Sequence, residues 1–423
     1  MATSQCSPAD SEAIDTVFWR ETVGKDLRTL LRGAEYDYAS QQAALESMSR
    51  YVAPYLGPRP PVGEAGRDQP CPTRWRSFMT DDFSPLEYSW SWENVAPSVR
   101  YSFEPIGRHA GTARDPYNWT GPIGCVQQIR GSLSGADWRW FDHFAQAFRR
   151  PTPLPRKESH FHSSPSSIFL AFNLEKHGLK CKSYHVPHSS ADQQGGSRLD
   201  VLHQAFGTLQ QHHELPAYDC VEKYLRQQEP LPIPPFIIGV AVDCVHPSLA
   251  NLKIYFRSSA TSFDSVRETL TMAGALSSWD DDAFQELQQL WHLTLGLPLA
   301  YPSSQPLPTL NHETSGVLYN FGFKLGQRYP DTKVYIPVRH YACNDRAIVE
   351  GLAEFLARQG RAQQAKRYVQ TLEQLINSFR SLDETCGLQT YIACGNKGGR
   401  LSLTSYLSSE IYYPGRWSSS RQP

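Results

Sequence analysis

Alternating apolar and polar side chains predict β-strands in several separate stretches of the chain. The clearest is residues 252–257, LKIYFR, where every second side chain is apolar and those between them are Lys, Tyr and Arg. Side chains of a strand point to opposite faces with a period of two, so one face is apolar and the other is cationic and phenolic. One such stretch on its own is typical of an exposed antiparallel edge.

The same pattern recurs along the chain at intervals of about 70 to 80 residues. The cationic positions of the recurring strands are Arg100, Lys182, Lys253, Lys333 and Arg400. Three of the strands read Lys-x-Tyr, and their tyrosines are Tyr184, Tyr255 and Tyr335. A polar strand face that is exposed to water has no need of a tyrosine two residues after a lysine, and this pair occurs in three separate strands. The repetition therefore indicates an enclosed polar face.

Two more segments follow the same rule. The earlier one, SPLEYSWSW, places Glu87 and two serines on one face and bulky apolar side chains on the other. In the last segment Arg400, Ser402, Thr404 and Tyr406 share one face, opposite three leucines. The sequence CGNKGGR just before that strand predicts a hairpin turn.

Helical periodicity predicts helices that alternate with antiparallel pairs of strands. The predicted helices are residues 11–31, 36–53, 137–148, 198–211, 218–228, 262–275, 280–292 and 345–379. This order predicts an α+β fold without Rossmann connectivity. If about five helix–strand–strand units close into a ring, helices cover the apolar faces and the polar faces line a lumen. An open sheet with its polar face in water is the alternative.

Length and charge restrict the function further. The 423 residues fit either one large barrel or two domains. A formal charge of −1 provides no overall field for nucleic acid or an anionic membrane. The N-terminus lacks a basic segment followed by an apolar one, and no apolar run is long enough to span a bilayer. We expect a soluble, cytoplasmic protein that binds neither nucleic acid nor membrane.

Cations that converge in an enclosed lumen repel one another, so they predict a highly charged anionic ligand such as a diphosphate. Lysine and arginine bind phosphate, and the faces of tyrosine rings attract a cation at about 0.5–2 kcal/mol each. This combination suits a diphosphate that leaves an allylic carbon while aromatic walls shelter the carbocation. Glu87 is the candidate to orient an acceptor by accepting a hydrogen bond from its N–H or O–H. A strand glutamate paired with a neighbouring base is the alternative for Glu87.

No metal site is predicted. Metal-dependent prenyl transfer uses an Asp-rich DDxxD cluster, and the acidic segments here lack the second carboxylate one helical turn later. Asp280, at the start of a predicted helix, is expected to cap it. We therefore predict that positive side chains take the place of Mg²⁺ or Ca²⁺ and that no cofactor is required.

Six segments in this order, DDFSPLEYSWSW, PSVRYSFEPIG, KCKSYHVP, LKIYFR, KVYIPVRHYACND and LTSYLSSEIYY, resemble the fungal aromatic prenyltransferases of the dimethylallyltryptophan synthase family. The resemblance implies one domain, residues 1–423, with a helical N-terminal part at about 11–56 and barrel repeats at about 72–415. It also implies a closed ten-stranded antiparallel barrel with a polar lumen, surrounded by helices and built from αββα units (the ABBA or PT barrel).

The resemblance carries roles to particular residues. Glu87 matches the glutamate that orients the acceptor, and Arg100 matches the first diphosphate arginine. The later diphosphate contacts and the shield of the carbocation match Lys182, Tyr184, Lys253, Tyr255, Lys333, Tyr335 and Tyr406. Many relatives read Arg-x-Lys-x-Tyr on the third of these strands, whereas this chain has Asn251 at the first position. Either Arg257, on the same face, substitutes for it, or the diphosphate site is weaker at this position.

The resemblance implies transfer of a dimethylallyl group from dimethylallyl diphosphate, or of the longer geranyl group, to a small aromatic acceptor in secondary metabolism. We expect an indole acceptor, either derived from tryptophan or a cyclic dipeptide. A phenolic or polyketide ring is the alternative acceptor, and a non-catalytic isoprenoid or anion carrier is the alternative function. The protein is expected to be a monomer or a homodimer.

Overall fold

Ten antiparallel strands close into one barrel in the computed structural model. The structure describes residues 8–60, 75–93, 96–149, 166–175, 178–187, 197–228, 236–413 and 416–417. The strands are β1 (Leu86–Ser91), β2 (Ser98–Phe103), β3 (Ile168–Glu175), β4 (Gly178–His185), β5 (Phe236–Asp243), β6 (Leu252–Ser258), β7 (Val317–Phe323), β8 (Asp331–Ile336), β9 (Gln389–Lys397) and β10 (Arg400–Ser408). Each strand pairs with its neighbours in sequence, and β1 pairs with β10 to close the ring. The predicted closed barrel is confirmed, and the open sheet is excluded.

Helices pack around the outside of the barrel. In the described residues they are α1 (Pro8–Gly33), α2 (Tyr38–Tyr51), α3 (Thr120–Ile129), α4 (Arg139–Ala147), α5 (Arg198–Gly207), α6 (Pro216–Gln228), α7 (Phe263–Leu270), α8 (Asp281–Leu295), α9 (Val338–Tyr341), α10 (Asp345–Arg358) and α11 (Ala362–Ile376). Helices α1 and α2 precede the first strand pair, and the others lie between successive strand pairs, as repeated αββα units require. No helix in this part of the chain is both long and apolar enough to cross a membrane.

The apolar faces of the strands form the core between barrel and helices. On β6 the side chains of Leu252, Ile254 and Phe256 are almost completely buried. Trp90 of β1 packs edge-on against Tyr368 of α11, with ring centroids 5.4 Å apart. Burying these large rings removes apolar surface from water at roughly 25 cal/mol per Å², which drives the helices onto the barrel.

Small residues flank the lysines that face the lumen. Lys253 lies opposite Ala241 on one side and Gly322 on the other, and Lys333 lies opposite Gly395. A Cβ atom at Gly395 would approach Lys333 Cε to 3.3 Å, which is already a tight contact. The register therefore keeps space in the lumen for the long cationic side chains.

Two local predictions were correct, one for a hairpin turn and one for a helix cap. The hairpin between β9 and β10 turns at Gly398 and Gly399, whose φ values of 60° and 78° favour glycine. The side chain of Asp280 caps α8 by accepting a hydrogen bond from the Ala283 N–H at 2.8 Å.

Two helix predictions were wrong. The predicted helix at residues 345–379 is two helices, α10 and α11, because the chain turns at Gly360 with a φ of 75°. Helix α3 was not predicted, because its first turn contains glycine and proline, which are poor signals for a helix. The outer limits proposed for the barrel repeats, residues 72 and 415, lie outside the described residues.

Candidate active site

Side chains of β6 mark three successive levels of the lumen. Lys253, Tyr255 and Arg257 point to the same side of the strand, and each step of two residues advances about 6–7 Å along it. The other strands contribute to the same levels. We call them the cationic level, the tyrosine layer and the acceptor end, in that order.

The cationic level contains the side chains of Arg100, Lys182, Lys253 and Lys333. The electrostatic field of Lys182 and of Lys333 reaches Lys253, and that of Arg100 reaches Lys333. The pKa of Lys253 is lowered to about 7, mainly by enclosure away from water and then by Lys182 and Lys333, against the opposing effect of two nearby carboxylates. Four of the five predicted cations therefore lie together in the lumen, where an anionic ligand would favour their charged form. The fifth, Arg400, is exposed at the start of β10 and does not join them.

Two carboxylates also belong to the cationic level. Glu93, which follows β1, lies 3.3 Å from Lys333 Nζ, 3.4 Å from Arg100 Nη2 and 3.5 Å from Lys397 Nζ. Burial acts to raise the pKa of Glu93, but these three cations outweigh it and hold the pKa far below its usual range. Glu93 is thus ionised at neutral pH.

The second carboxylate, Asp243 at the end of β5, lies 3.2 Å from Lys182 Nζ. Sequence analysis missed Asp243 and Glu93. Asp243 ends an apolar strand, and Glu93 lies just beyond the alternating segment, so neither appears in the Lys-x-Tyr pattern.

The tyrosine layer is a row of phenol rings across the lumen. The ring centroids of Tyr184 and Tyr255 are 5.8 Å apart, those of Tyr255 and Tyr335 are 5.9 Å apart, and those of Tyr335 and Tyr406 are 5.5 Å apart. The amide of Asn320 donates a hydrogen bond of 2.7 Å to the Tyr335 hydroxyl and so holds that ring in place. Burial raises the pKa of all four phenols, so they stay neutral and their ring faces stay available to a cation.

Glu87 lies at the acceptor end, in the wall of a cavity that also contains the tyrosine layer. The Thr390 hydroxyl donates a hydrogen bond of 2.7 Å to Glu87 Oε1. The pKa of Glu87 is raised to about 8, mainly by enclosure; the Asp81 carboxylate also raises it, and the Thr390 hydrogen bond acts in the opposite direction. A carboxyl group with a pKa near 8 can both accept and return a proton close to neutral pH.

Arg257 was predicted to replace the missing arginine of the diphosphate site, but its side chain does not lie at the cationic level. Arg257 lies in the wall of the acceptor end, and its Nη1 and Nη2 atoms each lie 3.1 Å from the Tyr391 hydroxyl. Arg257 shares the face of Lys253, but it is four residues further along β6, beyond the tyrosine layer. Same-face residues of one strand can thus serve opposite ends of the lumen.

A polar network missed by the sequence analysis borders the acceptor end. Arg339 Nε lies 2.9 Å from Asp81 Oδ2, and the Thr314 hydroxyl lies 2.9 Å from Asp81 Oδ1. The same hydroxyl is 2.9 Å from His312 Nδ1 and 2.7 Å from His340 Nε2. These residues come from loops and the four-residue helix α9, which carry no strand periodicity, so alternation gave no signal for them.

One group of side chains has the spacing of a metal site: the ligand atoms of Asp81, His312 and His340 all lie within 4.8 Å of one another. The guanidinium of Arg339 already occupies one side of the Asp81 carboxylate, and Arg257 acts electrostatically on His340. A divalent cation would meet both positive charges. We therefore interpret the cluster as a hydrogen-bond network, and metal-independent chemistry stays a prediction.

Comparison with known proteins shows the family. The family model described as tryptophan dimethylallyltransferase matches residues 15–371. The chain belongs to this family. It is 34% identical over 398 residues to 4-O-dimethylallyl-L-tyrosine synthase of Claviceps purpurea, covering 93% of this chain and 87% of the relative. The enzyme is thus an aromatic prenyltransferase, as the resemblance of its motifs implied.

The chain is also similar to a second relative, and its fold is similar to a solved structure. The prenyltransferase is 29% identical over 424 residues to 7-dimethylallyltryptophan synthase of Aspergillus fumigatus, covering 96% of this chain and 87% of that one. Its fold is similar to the crystal structure of NotF in complex with brevianamide F and DMSPP, with a TM-score of 0.76, 20% identity, and coverage of 95% of this chain and 99% of NotF. The shared fold is the closed barrel described above.

Proposed function

We propose that this prenyltransferase transfers a dimethylallyl group from dimethylallyl diphosphate to the oxygen of a phenolic acceptor. The observation that carries the proposal is the order of groups along one lumen: cations at one level, four tyrosine rings at the next, and Glu87 beyond them. This order matches, group by group, a diphosphate, an allylic cation and an aromatic acceptor.

At the cationic level, Arg100, Lys182, Lys253 and Lys333 bind the two phosphates. The bond between C1 of the dimethylallyl group and the diphosphate oxygen breaks, and its electron pair leaves with the diphosphate. The cations stabilise this leaving group, because their charges are already in position when the negative charge develops. A diphosphate beside Lys253 raises the pKa of this lysine above about 7 and so favours its protonated form.

The allylic cation lies against the tyrosine layer, whose ring faces stabilise positive charge and exclude water. The acceptor hydroxyl donates a hydrogen bond to Glu87, its oxygen attacks C1, and its proton passes to the Glu87 carboxylate. The products are an aryl prenyl ether, diphosphate and protonated Glu87, which returns its proton to solvent.

The choice of a phenolic over an indole acceptor is supported by sequence identity to named relatives. The relative named for O-dimethylallylation of tyrosine is 34% identical to this chain, and the relative named for tryptophan is 29% identical. An indole is the second candidate, because Glu87 can accept a hydrogen bond from an indole N–H in the same way. For an indole, the ring carbon or nitrogen would take the place of the phenol oxygen.

The proposal is tested by incubating the enzyme with dimethylallyl diphosphate and separate acceptors in the presence of EDTA. The acceptors are L-tyrosine, a dihydroxyxanthone, L-tryptophan and a tryptophan-containing cyclic dipeptide, with products identified by mass spectrometry and diphosphate release measured in parallel. We expect O-prenylated phenols. Products from indoles alone would favour the second candidate, and binding without diphosphate release would indicate a carrier. Loss of activity in EDTA that returns with Mg²⁺ would contradict metal independence.

The diphosphate assignment is tested with lysine variants. We expect Lys253→Ala and Lys333→Ala to lower kcat by about 100-fold or more, because each removes a charge that stabilises the leaving group. Lys397→Ala is the matched control: its side chain is 70% exposed at the edge of the same level, so we expect less than about a threefold effect. Wild-type turnover in both lumen variants would refute their assignment.

A further inference from the structure

Asn320 lies in the middle of β7, and its side chain faces the lumen beside the tyrosine layer. The two residues on the same side of this strand confirm the direction: Leu318 lines the cavity, and Gly322 adjoins the side chain of Lys253. Asn320 is buried, with 3% of the residue exposed. Asparagine is disfavoured in strands, and burying an amide is costly unless it is hydrogen-bonded. An asparagine at this position therefore depends on its hydrogen-bond partners.

Those partners are hydroxyls of the tyrosine layer. Asn320 is directly opposite Tyr255 of β6 and diagonal to Tyr335 of β8. Its Nδ2 donates to the Tyr335 hydroxyl oxygen at 2.7 Å, and the Tyr335 hydroxyl lies 3.4 Å from that of Tyr255. Burial raises the pKa of Tyr255, and hydrogen bonds from Tyr335 and Asn320 act in the opposite direction. One amide thus connects two neighbouring rings that belong to different strands.

This connection restrains where the two rings lie. A tether at the hydroxyl is effective, because the oxygen is the atom of a tyrosine side chain farthest from the backbone. The 3.4 Å contact between the two hydroxyls is longer than a strong O–H···O bond, so the 2.7 Å bond from Asn320 is the tighter restraint. The rings of Tyr255 and Tyr335 are held with their centroids 5.9 Å apart and their planes inclined at 56°.

The position of these rings matters once the bond between C1 and the diphosphate has broken. The allylic cation can then react with the acceptor or with water. Attack by water forms a new C–O bond, releases a proton to solvent and gives dimethylallyl alcohol, while the electron pair of the broken bond stays with the diphosphate. Rings that pack against the cation exclude water, and rings that move apart admit it. The fraction of alcohol therefore measures how well the tyrosine layer is closed.

We propose that Asn320 is a positioning residue that holds the tyrosine layer closed around the allylic cation and so sets the ratio of prenyl transfer to hydrolysis of the donor. The inference rests on the proposed function for the place of the donor, but it holds for a phenol and for an indole acceptor alike. Asn320 acts through Tyr335 and Tyr255 and not by contact with the reacting atoms.

The ratio of the two products tests this. Dimethylallyl diphosphate labelled at C1 is incubated with each of the four acceptors named above, and prenylated acceptor and dimethylallyl alcohol are quantified by chromatography after subtraction of an enzyme-free blank. For any acceptor that the wild-type enzyme prenylates, we expect Asn320→Leu to raise the alcohol fraction by at least about fivefold. Leucine branches at the same atom as asparagine, so the substitution removes the hydrogen bonds without leaving a cavity.

A purely structural role would lower the formation of both products together and leave their ratio unchanged. Asn396→Leu is the matched control, because the Asn396 amide donates to the Ser278 carbonyl at 2.8 Å on the outer side of β9. We expect the wild-type ratio in this variant. An unchanged ratio in Asn320→Leu as well would overturn the proposal.

Tyr335→Phe keeps the proposal testable even if Asn320→Leu is unstable. It removes the hydroxyl that the amide holds and keeps the ring, so the alcohol fraction should rise at least about threefold. In the double variant the alcohol fraction should be close to that of the more affected single variant, because both changes break the same hydrogen bond. Effects that multiply would show that the two residues act separately, which would also overturn the proposal.

The same experiment distinguishes this inference from the proposed function. A wild-type enzyme that releases no diphosphate with any acceptor would overturn both. Prenylated indoles alone, with a higher alcohol fraction in Asn320→Leu, would refute the phenolic acceptor and support the role of Asn320. Prenylated phenols with an unchanged ratio in Asn320→Leu would support the proposed function and overturn this inference alone.

Discussion

At the scale of single residues, Glu87 shows how position changes the chemistry of an ordinary side chain. It follows the first residue of a short strand, and sequence alone allows it to be either a surface glutamate or a site residue. The structure encloses it beside Thr390 and Asp81, and the resulting pKa is about 8. A glutamate that is half ionised near pH 8 is suited to proton transfer, whereas one with a pKa of 4.5 is a weak base.

This environment predicts the pH dependence of the reaction with phenols. Because the raised pKa keeps Glu87 protonated below about pH 7, kcat/KM for the acceptor should rise as the pH increases through about 8. Glu87→Gln should lower kcat/KM by about 100-fold or more and remove the rise near pH 8. Initial rates between pH 6 and 9.5 measure both. An unchanged pH profile in the glutamine variant would show that another group, such as the acceptor itself, titrates there.

At the scale of elements, several strands each contribute a charged side chain to a level that no strand forms alone. Arg100 belongs to β2, Lys333 to β8 and Lys397 to β9. The register brings all three cations within 3.5 Å of the carboxylate of Glu93, which follows β1. Glu93 offsets part of the cationic charge of the lumen. It therefore competes with any diphosphate that binds the same cations.

Binding of inorganic pyrophosphate at pH 7 should change in opposite directions in two variants. Glu93→Gln removes the competing negative charge, so we expect pyrophosphate to bind about 3- to 10-fold more tightly. Lys253→Met removes a cation of similar length and should weaken binding at least about tenfold. Calorimetry measures both dissociation constants.

The control for these variants is Glu222→Gln, which neutralises a carboxylate paired with Arg226 on α6, outside the barrel. Its pyrophosphate affinity should equal that of the wild type. Weaker binding in Glu93→Gln would mean that Glu93 positions Arg100 and Lys333 instead of competing for them.

At the scale of the whole molecule, closure of the barrel is reinforced by a buried ionic cluster. Arg380 pairs with Asp345 at the start of α10, and its Nη2 lies 2.9 Å from Glu410 Oε1 just after β10. The side chain of Arg380 is fully buried. Burial raises the pKa of Glu410, while Arg380 acts in the opposite direction. The cluster thus joins the end of the last strand to the outer helices.

Arg380→Met should lower the free energy of unfolding by about 3–5 kcal/mol at pH 7, because two carboxyl groups would remain buried without their partner. Arg346→Gln, in an exposed ion pair on the same helix as Asp345, should cost only about 0–1 kcal/mol. Urea denaturation followed by fluorescence and circular dichroism compares them. A small loss for Arg380→Met would show that water or side-chain movement compensates the two carboxyls.

Much of the architecture was predictable because its signals are local. Alternation assigned Lys182, Lys253 and Lys333 to the lumen, and the two glycines after Lys397 specified the last hairpin. Within each pair of consecutive strands, the short connection makes the two strands antiparallel neighbours. The break at Gly360 was missed, because the apolar pattern continues on both sides of a single glycine and the chain reversal depends on how α11 packs against Trp90.

The amino-acid sequence by itself determined which face of each strand is apolar, since that depends only on whether a residue is at an odd or even position. It therefore predicted a polar lumen, its lysines and its tyrosines. Only the tertiary structure decided the level of each group along the barrel and which loops reach it. Those depend on the register between strands and on closure of the ring, so Arg257 lies beyond the tyrosine layer, and Glu93, Asp81 and Arg339 join the lumen from outside the alternating pattern.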